Sequence, residues 1–87
     1  MMETYKPYGI DGEIRYQCLK SAKEWTTPTG EEVRIALAMA NWSGVEFARR
    51  INTNDRTVRR WLGGEQPIPY VAWCVLCVEA NLGAIWK

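Results

Sequence analysis

The sequence predicts a small all-α domain of four to five short helices. Apolar residues recur at helical spacing in several segments, and residues that cap helices stand before those segments. The chain has 87 residues, of which 47% are hydrophobic and 24% are charged. This size and composition suit one globular core and argue against disorder. We divide the chain into an N-terminal arm with an extra helix at residues 1–28, a main domain at residues 29–83 and a tail at residues 84–87.

The first segment has two possible interpretations. Residues 1–10 are predicted to form an irregular arm, and the apolar positions between Asp11 and Trp25 predict a helix capped by Asp11. Basic and acidic residues cancel within the segment, which favours packing against the fourth helix over reaching along a nucleic acid. A strand would equally suit the alternating positions Ile14, Tyr16 and Cys18.

Thr29 and Glu32 form a capping box, in which the hydroxyl accepts a hydrogen bond from a first-turn amide and the carboxylate accepts one from the cap's own amide. We predict that this helix runs from about residue 30 to 40 and stops at Asn41, since asparagine tolerates left-handed geometry. Its buried face comprises four apolar residues, Val33, Ala36, Leu37 and Ala40.

Ser43 and Glu46 have the spacing of a second capping box, which predicts a short helix that ends at residues 52–54. Asn54 then caps a third helix, which stops at Gly63-Gly64. The third helix buries three apolar residues, Val58, Trp61 and Leu62.

The segment YVAWCVLCVEANLG predicts a fourth helix that starts near Pro69, ends at Gly83 and is apolar on nearly all sides. So small a core can cover only one side of it, so we predict that the other side is a dimer surface. The alternative is that the N-terminal segment covers that side. The candidate dimer residues are Tyr70, Trp73, Cys77, Ile85 and Trp86.

The cysteines and the lack of histidine limit the possible chemistry. Cys18, Cys74 and Cys77 are odd in number and no secretory signal precedes them, so we expect no disulfide, and we expect the C-x-x-C pair to pack in the core. The chain has no histidine and no recognisable catalytic motif, so we expect neither an enzyme nor a metal or cofactor. A redox or metal protein built on the three cysteines remains an alternative.

No apolar run approaches the roughly 18 residues that span a bilayer. The N-terminus also lacks the basic and apolar regions of a secretory signal. We therefore expect a cytoplasmic protein with no membrane contact.

Positive charge is concentrated between Ser43 and Leu62, which contain five of the eleven basic residues and only two acidic ones. The whole chain has a net charge of only +1, so its positive field is local. Two short helices separated by three or four residues, the second one basic, are typical of a helix-turn-helix. The alternative is an ordinary solvated helix face, although like charges on one face are destabilising.

Residues 41–62, NWSGVEFARRINTNDRTVRRWL, resemble the helix-turn-helix of the phage Cro and lambda-repressor family. The likeness covers about residues 28–83, and RTVRRWLGGEQPIPYVAW is similar to small regulators of phages and mobile elements, some of which repress anti-CRISPR or transfer operons. The resemblance implies a lambda-repressor-like DNA-binding domain and a homodimeric transcriptional repressor that binds an inverted repeat in double-stranded DNA. The matching positions are Phe47, Ala48, Thr57, Val58 and Trp61.

In this motif the N-terminal tip of the second helix contacts base edges in the major groove. Arginine can pair with guanine through two hydrogen bonds, and asparagine can pair with adenine in the same way. For Arg59, an ion pair with Asp55 and a phosphate contact remain alternatives. The predicted base-contacting residues are Asn54, Asp55, Arg56, Arg59 and Arg60.

Phosphate contacts are predicted on both sides of the turn. Gly44 replaces the polar residue that is usual in the family, so only its amide and the helix N-terminus are left to bind an anion there. For Arg49 and Arg50, interaction with the C-terminal dipole of their own helix is an equal alternative. The predicted phosphate-contacting residues are Ser43, Gly44, Arg49, Arg50 and Thr57.

Two further functions stay open. A protein-interaction module, such as an antitoxin, could use the fourth helix and the C-terminal tail to bind a partner protein. Binding of RNA is the other, although the major groove of A-form RNA is too narrow for a recognition helix.

Overall fold

Four α-helices and one short hairpin make up the fold in the computed structural model, which describes residues 4–87. Residues 1–3 of the predicted arm lie outside the described residues. The elements in chain order are strand β1 (Thr4–Tyr5), strand β2 (Ile14–Arg15), two 3₁₀ helices (Tyr16–Leu19 and Ala22–Glu24), and helices α1 (Gly30–Ala40), α2 (Gly44–Arg50), α3 (Asp55–Leu62) and α4 (Tyr70–Glu79). The prediction of a small, mostly helical domain is confirmed, but the hairpin departs from a purely all-α fold. In the described part of the chain, every helix is too short or too polar to cross a membrane.

The prediction of a helix between Asp11 and Trp25 is wrong. Ile14 and Arg15 instead pair with β1 as an antiparallel strand, and only short 3₁₀ helices follow them. The apolar residues of this segment do face the core, since Ile14 and Cys18 are completely buried. A strand followed by a 3₁₀ turn thus satisfies the spacing that also suits a helix.

Gly12 gives a physical reason for the hairpin. Its φ of 113° lies in a region that residues with a side chain rarely adopt, and it interrupts any helix that starts at Asp11. A Cβ atom at this position would overlap the side chain of Ile35 in α1. The missing side chain therefore lets the hairpin lie directly against α1.

One buried carboxylate joins the hairpin to α1. Glu32 is only 4% exposed and accepts a hydrogen bond from the Thr29 amide at 2.8 Å, which completes the predicted capping box. The same carboxylate accepts from the amide, Nε and Nη2 of Arg15 at 2.9, 2.9 and 2.8 Å. The Cys18 thiol is a further donor, at 3.6 Å. Glu32 therefore caps a helix and also anchors a strand that lies 17 residues earlier in the chain.

These contacts keep Glu32 charged inside the protein. Burial alone would raise the pKa of its carboxyl group, but the hydrogen bonds from Arg15 and from the Thr29 amide outweigh burial and hold the pKa at about 2. The hydrogen bond to Glu32 likewise raises the pKa of Arg15. The pair is therefore ionised throughout the neutral range.

The N-terminal segment covers one side of α4, as the charge balance predicts. The Trp73 indole donates a hydrogen bond to the Cys18 carbonyl at 2.7 Å, and the Tyr70 hydroxyl donates one to the Lys20 carbonyl at 3.0 Å. The ring of Trp25 packs edge-on against Tyr70, with 4.9 Å between the centroids. The segment and the helices thus share one core.

This packing corrects the predicted dimer surface. Trp73 and Cys77 are completely buried within the protomer and Ile85 is 8% exposed, so none of the three is available to a partner. Tyr70 is partly buried and Trp86 is half exposed. Only these last two of the five candidates lie where a second molecule could reach them.

The fourth helix also ends earlier than predicted. It stops at Glu79, and Asn81 takes a left-handed conformation just after the helix, with a φ of 69°. Gly83, the predicted end of the helix, also has a positive φ, of 95°. Asparagine can adopt this conformation because its short polar side chain lowers the usual steric cost.

The three cysteines pack in the core, as predicted. All are buried free thiols, and burial raises the pKa of Cys18 and of Cys77 to about 12 and also raises that of Cys74. They are therefore protonated at neutral pH. Within residues 4–87, no three His, Cys, Asp or Glu side chains come together as metal ligands.

We predict that Glu32→Gln lowers the free energy of unfolding by about 3 kcal/mol at pH 7, because it leaves the Arg15 charge without its buried partner. Since the folded-state pKa of Glu32 is about 2, below its ordinary value of 4.5, its contribution is present above pH 4.5 and is lost as the pH falls through 2. Urea unfolding followed by tryptophan fluorescence gives the free energy of unfolding at each pH. Between about pH 5 and 2 this free energy should fall less steeply for the variant than for the wild type.

Glu31→Gln is the matched control, since Glu31 is exposed in the same first turn. We expect it to lose at most about 1 kcal/mol, the size of a helix-dipole interaction. The role assigned to Glu32 would be contradicted if the two variants lost the same free energy of unfolding at pH 7 and showed the same decrease of that free energy between about pH 5 and 2.

We also predict that Gly30→Ala is destabilising by about 1–3 kcal/mol, because a Cβ atom there would collide with the backbone carbonyl of Leu62 at the end of α3. Gly44→Ala is the control: its Cβ would lie 3.5 Å from Val58 and 3.6 Å from Leu62, which is ordinary contact. Thermal unfolding should show a lower melting temperature for the first variant and little change for the second. A tolerated Gly30→Ala would mean that α1 and α3 are less closely packed than described.

Candidate nucleic-acid interface

Helices α2 and α3 pack through a small residue and a row of aromatic rings. Ala48 is 3% exposed between the helices, where a larger side chain would force them apart. The Phe47 ring stacks on Trp42, with centroids 6.1 Å apart, and lies at 59° to Trp61 at 5.9 Å. These contacts fix the orientation of α3 relative to α2.

The turn between the two helices begins where the second helix was predicted to end. Asn52 adopts a φ of 58°, a left-handed conformation that asparagine tolerates. The Thr53 amide donates a hydrogen bond to the Ala48 carbonyl at 2.9 Å and so closes the end of α2. Asn54 then caps α3 by accepting from the Thr57 amide at 2.8 Å.

The predicted capping box at the start of α2 is only half formed. The Ser43 hydroxyl accepts from the Glu46 amide at 3.0 Å, as expected. The Glu46 carboxylate does not return to the cap. It instead accepts from Arg49 Nη1 at 3.1 Å and from Arg50 Nε at 2.5 Å.

The exposed side of α3 brings together the predicted base-contacting residues. Val58 is completely buried and Trp61 is 6% exposed, so the opposite face of this helix points to solvent. The residues on and beside that exposed face are Asn54, Asp55, Arg56, Arg59 and Arg60. The first four of them line one shallow depression.

The arginines of this surface differ in their partners. Arg59 lies 3.7 Å from Asp55, which is the ion pair that sequence reasoning left as an alternative. Arg56 and Arg60, one turn apart, have no acidic partner among residues 4–87. They are the α3 arginines whose donors can bind a further anion or base without first breaking an ion pair.

The predicted phosphate-contacting residues are more scattered. Ser43 and Gly44 lie at the start of α2, whereas Arg49 and Arg50 lie at its end. The Thr57 hydroxyl on α3 donates to the Asn54 side chain at 2.9 Å. The hydroxyls of Ser43 and Thr57 thus already have roles in capping.

Trp42 belongs to this region and was missed by sequence reasoning. It directly precedes the cap residue Ser43 and packs on Phe47, four positions into the helix, which is the arrangement of a hydrophobic staple. That spacing was a usable signal. Arg50 also lies over the Trp42 ring, 5.4 Å from its centroid, so the staple holds an arginine as well.

Comparison with known proteins gives one clear similarity. Two proteins from Escherichia coli, both described as transcriptional repressor protein KorC, are each 49% identical to this chain over 80 residues. The alignment covers 88% of this chain and 94% of the relative. No family model matches the chain, and no solved structure matches it.

The similarity thus extends over most of the length of both proteins. At this identity and coverage it shows common descent and not just a shared motif. The chain belongs to the family of KorC transcriptional repressors.

Proposed function

We propose that this protein represses transcription by binding double-stranded DNA at an inverted-repeat operator as a homodimer, with α3 in the major groove. Two-fold symmetric binders place their recognition helices on half-sites about 10 bp apart, centre to centre. An operator that overlaps a promoter would then exclude RNA polymerase. The α2–turn–α3 unit serves as the helix-turn-helix in this proposal.

The pair Arg56 and Arg60 carries the proposal. Both side chains are exposed on α3, one turn apart, and neither has an acidic partner among the described residues. Arginine donors at this spacing match the O6 and N7 acceptors of guanine in the major groove. Membership of a family of repressors supports the same function.

An apolar groove on α4 supports the homodimer. It is an open groove of about 490 Å³ on the side that the N-terminal segment leaves uncovered. Val71, Val75 and Val78 follow helical spacing and are 74%, 39% and 49% exposed. Exposed apolar residues in a row are typical of an interaction surface. The remaining lining residues are Tyr70, Cys74, Glu79 and Trp86.

We predict that Arg56→Ala/Arg60→Ala abolishes operator recognition. Selection from random duplex DNA at ~150 mM salt, where non-specific binding is weak, should give a two-fold symmetric motif for the wild type and none for the variant. Each lost bidentate contact costs about 1–3 kcal/mol, so affinity for the selected site should fall at least about 30-fold.

Arg34→Ala is the control, since Arg34 is an exposed arginine on α1 and its removal makes the same kind of charge change. It should select the same motif as the wild type. If the wild type enriches no motif, or if duplex RNA competes as well as DNA, the proposed function is wrong.

We predict that Val75→Glu prevents dimer formation, because it places a charge in the middle of the apolar groove. Sedimentation equilibrium should give the 10.0 kDa monomer for this variant and twice that mass for the wild type. Val45→Glu alters an exposed valine on α2 outside the groove and should remain dimeric.

The same groove favours one second candidate function, binding of a different protein. A wild-type chain that is monomeric, selects no DNA motif and forms a stable complex with another protein through this groove would support that candidate over the repressor.

A further inference from the structure

Glu46 binds two arginines of its own helix at once. Its Oε1 lies 3.1 Å from Arg49 Nη1 and its Oε2 lies 2.5 Å from Arg50 Nε. The two arginines are three and four residues further along α2, the spacing at which side chains of a helix meet. One carboxylate therefore occupies both cations at the end of the helix.

The geometry of the two capping boxes shows that this arrangement competes with a local alternative. Glu32 and Glu46 both lie three residues after a hydroxyl cap, yet only Glu32 accepts from the cap amide. Glu46 is in the position that would satisfy the amide of Ser43, and its carboxylate is directed to the arginines instead.

Arg50 is held from more than one direction. Its guanidinium lies over the Trp42 ring at 5.4 Å while its Nε donates to Glu46. The hydrogen bond to Glu46 raises the pKa of Arg50, and the charges of Glu46 and of Glu79 on α4 act in the same direction. A side chain held in this way is less available to a new anion than one that moves freely in solvent.

We propose that Glu46 is a positioning residue that withholds Arg49 and Arg50 from DNA phosphates, so that sequence-independent attraction stays weak and binding depends on α3. This inference rests on the proposed function. It revises the expectation that Arg49 and Arg50 contact phosphate.

The physical basis is an exchange of one anion for another. A phosphate that takes the donor now bound to Glu46 must displace the carboxylate, and a phosphate that binds another donor of the same arginine lies close to the negative charge of Glu46. In both cases less attraction is gained than at an unpaired arginine. Sequence-independent affinity for DNA grows with the number of phosphates that a protein neutralises, and its salt dependence reports that number. Arg56 and Arg60, without acidic partners in the described part of the chain, are not subject to this exchange.

A charge-exchange cycle on random duplex DNA tests the proposal. The four proteins are the wild type, Glu46→Gln, Arg49→Gln/Arg50→Gln and the triple variant, and each affinity is measured from about 50 to 200 mM salt. We expect Glu46→Gln to steepen the slope of log affinity against log salt by about 1–2, since each added phosphate contact contributes about 0.9. The arginine double variant should keep nearly the wild-type slope, and the triple variant should match the double variant.

Two controls separate the proposal from simpler effects. Glu24→Gln removes one negative charge from an exposed position in a 3₁₀ helix and should leave the slope unchanged. Circular dichroism should show that Glu46→Gln keeps its helices, because the Ser43 cap depends on the backbone amide of residue 46 and not on its side chain.

Three results would overturn the proposal. The slope could be unchanged in Glu46→Gln, or it could steepen equally when the arginines are absent, which would mean simple removal of charge. It could also fall by about 2 in the arginine double variant, which would mean that both arginines bind phosphate in the wild type. Selection of a symmetric operator by the wild type together with any of these results would overturn this inference and leave the proposed function intact.

Discussion

The structure depends on the carboxylate of Glu32. This single buried carboxylate completes the cap of α1 and accepts three hydrogen bonds from Arg15. It also accepts a hydrogen bond from the thiol of Cys18. The carbonyl of Cys18 in turn accepts a hydrogen bond from the indole of Trp73. The short segment from Arg15 to Cys18 therefore contacts both α1 and α4. A buried ion is costly unless its hydrogen bonds are satisfied, and here they are satisfied by elements that are distant in sequence. These contacts consequently fix the positions of the hairpin, α1 and α4 relative to one another.

The distribution of charge separates the surface of α2 from that of α3. Of the five arginines between Ser43 and Leu62, three lie beside a carboxylate on their own helix and two do not. In the sequence these residues form one basic segment, because the sequence gives the number of charges but not which of them form ion pairs. The structure pairs both arginines of α2 with Glu46 and one arginine of α3 with Asp55, and it leaves Arg56 and Arg60 on α3 without a carboxylate partner among the described residues. A nearly neutral protein can in this way present positive charge over a very small area.

The elements that could be predicted are those whose signals are local. Thr29, Ser43 and Asn54 each cap the helix that follows them, and asparagines at 41 and 52 take the left-handed conformation that ends a helix. For the hairpin segment the sequence left helix and strand open, because strand β2 is held by a residue 17 positions away and its apolar spacing is compatible with both. The exposed face of α3 followed from its spacing. The hydrogen-bond partners of the Glu46 carboxylate could not be predicted. The cap amide and the two arginines are all within its reach, and the sequence does not indicate which of them it binds.

The contact at Gly30 has a consequence for how such proteins can diverge. Helix α1 begins where its backbone touches the carbonyl of Leu62, the last residue of α3, with no side chain between them. The approach of α1 to the end of α3 is therefore limited by two backbones, in addition to the core side chains that orient α3 against α2. A side chain at position 30 would have to push α1 and α3 apart, so we expect this position to stay a glycine even where core residues are exchanged. Related chains could thus keep the same approach of α1 to α3 while the exposed residues of α3 change.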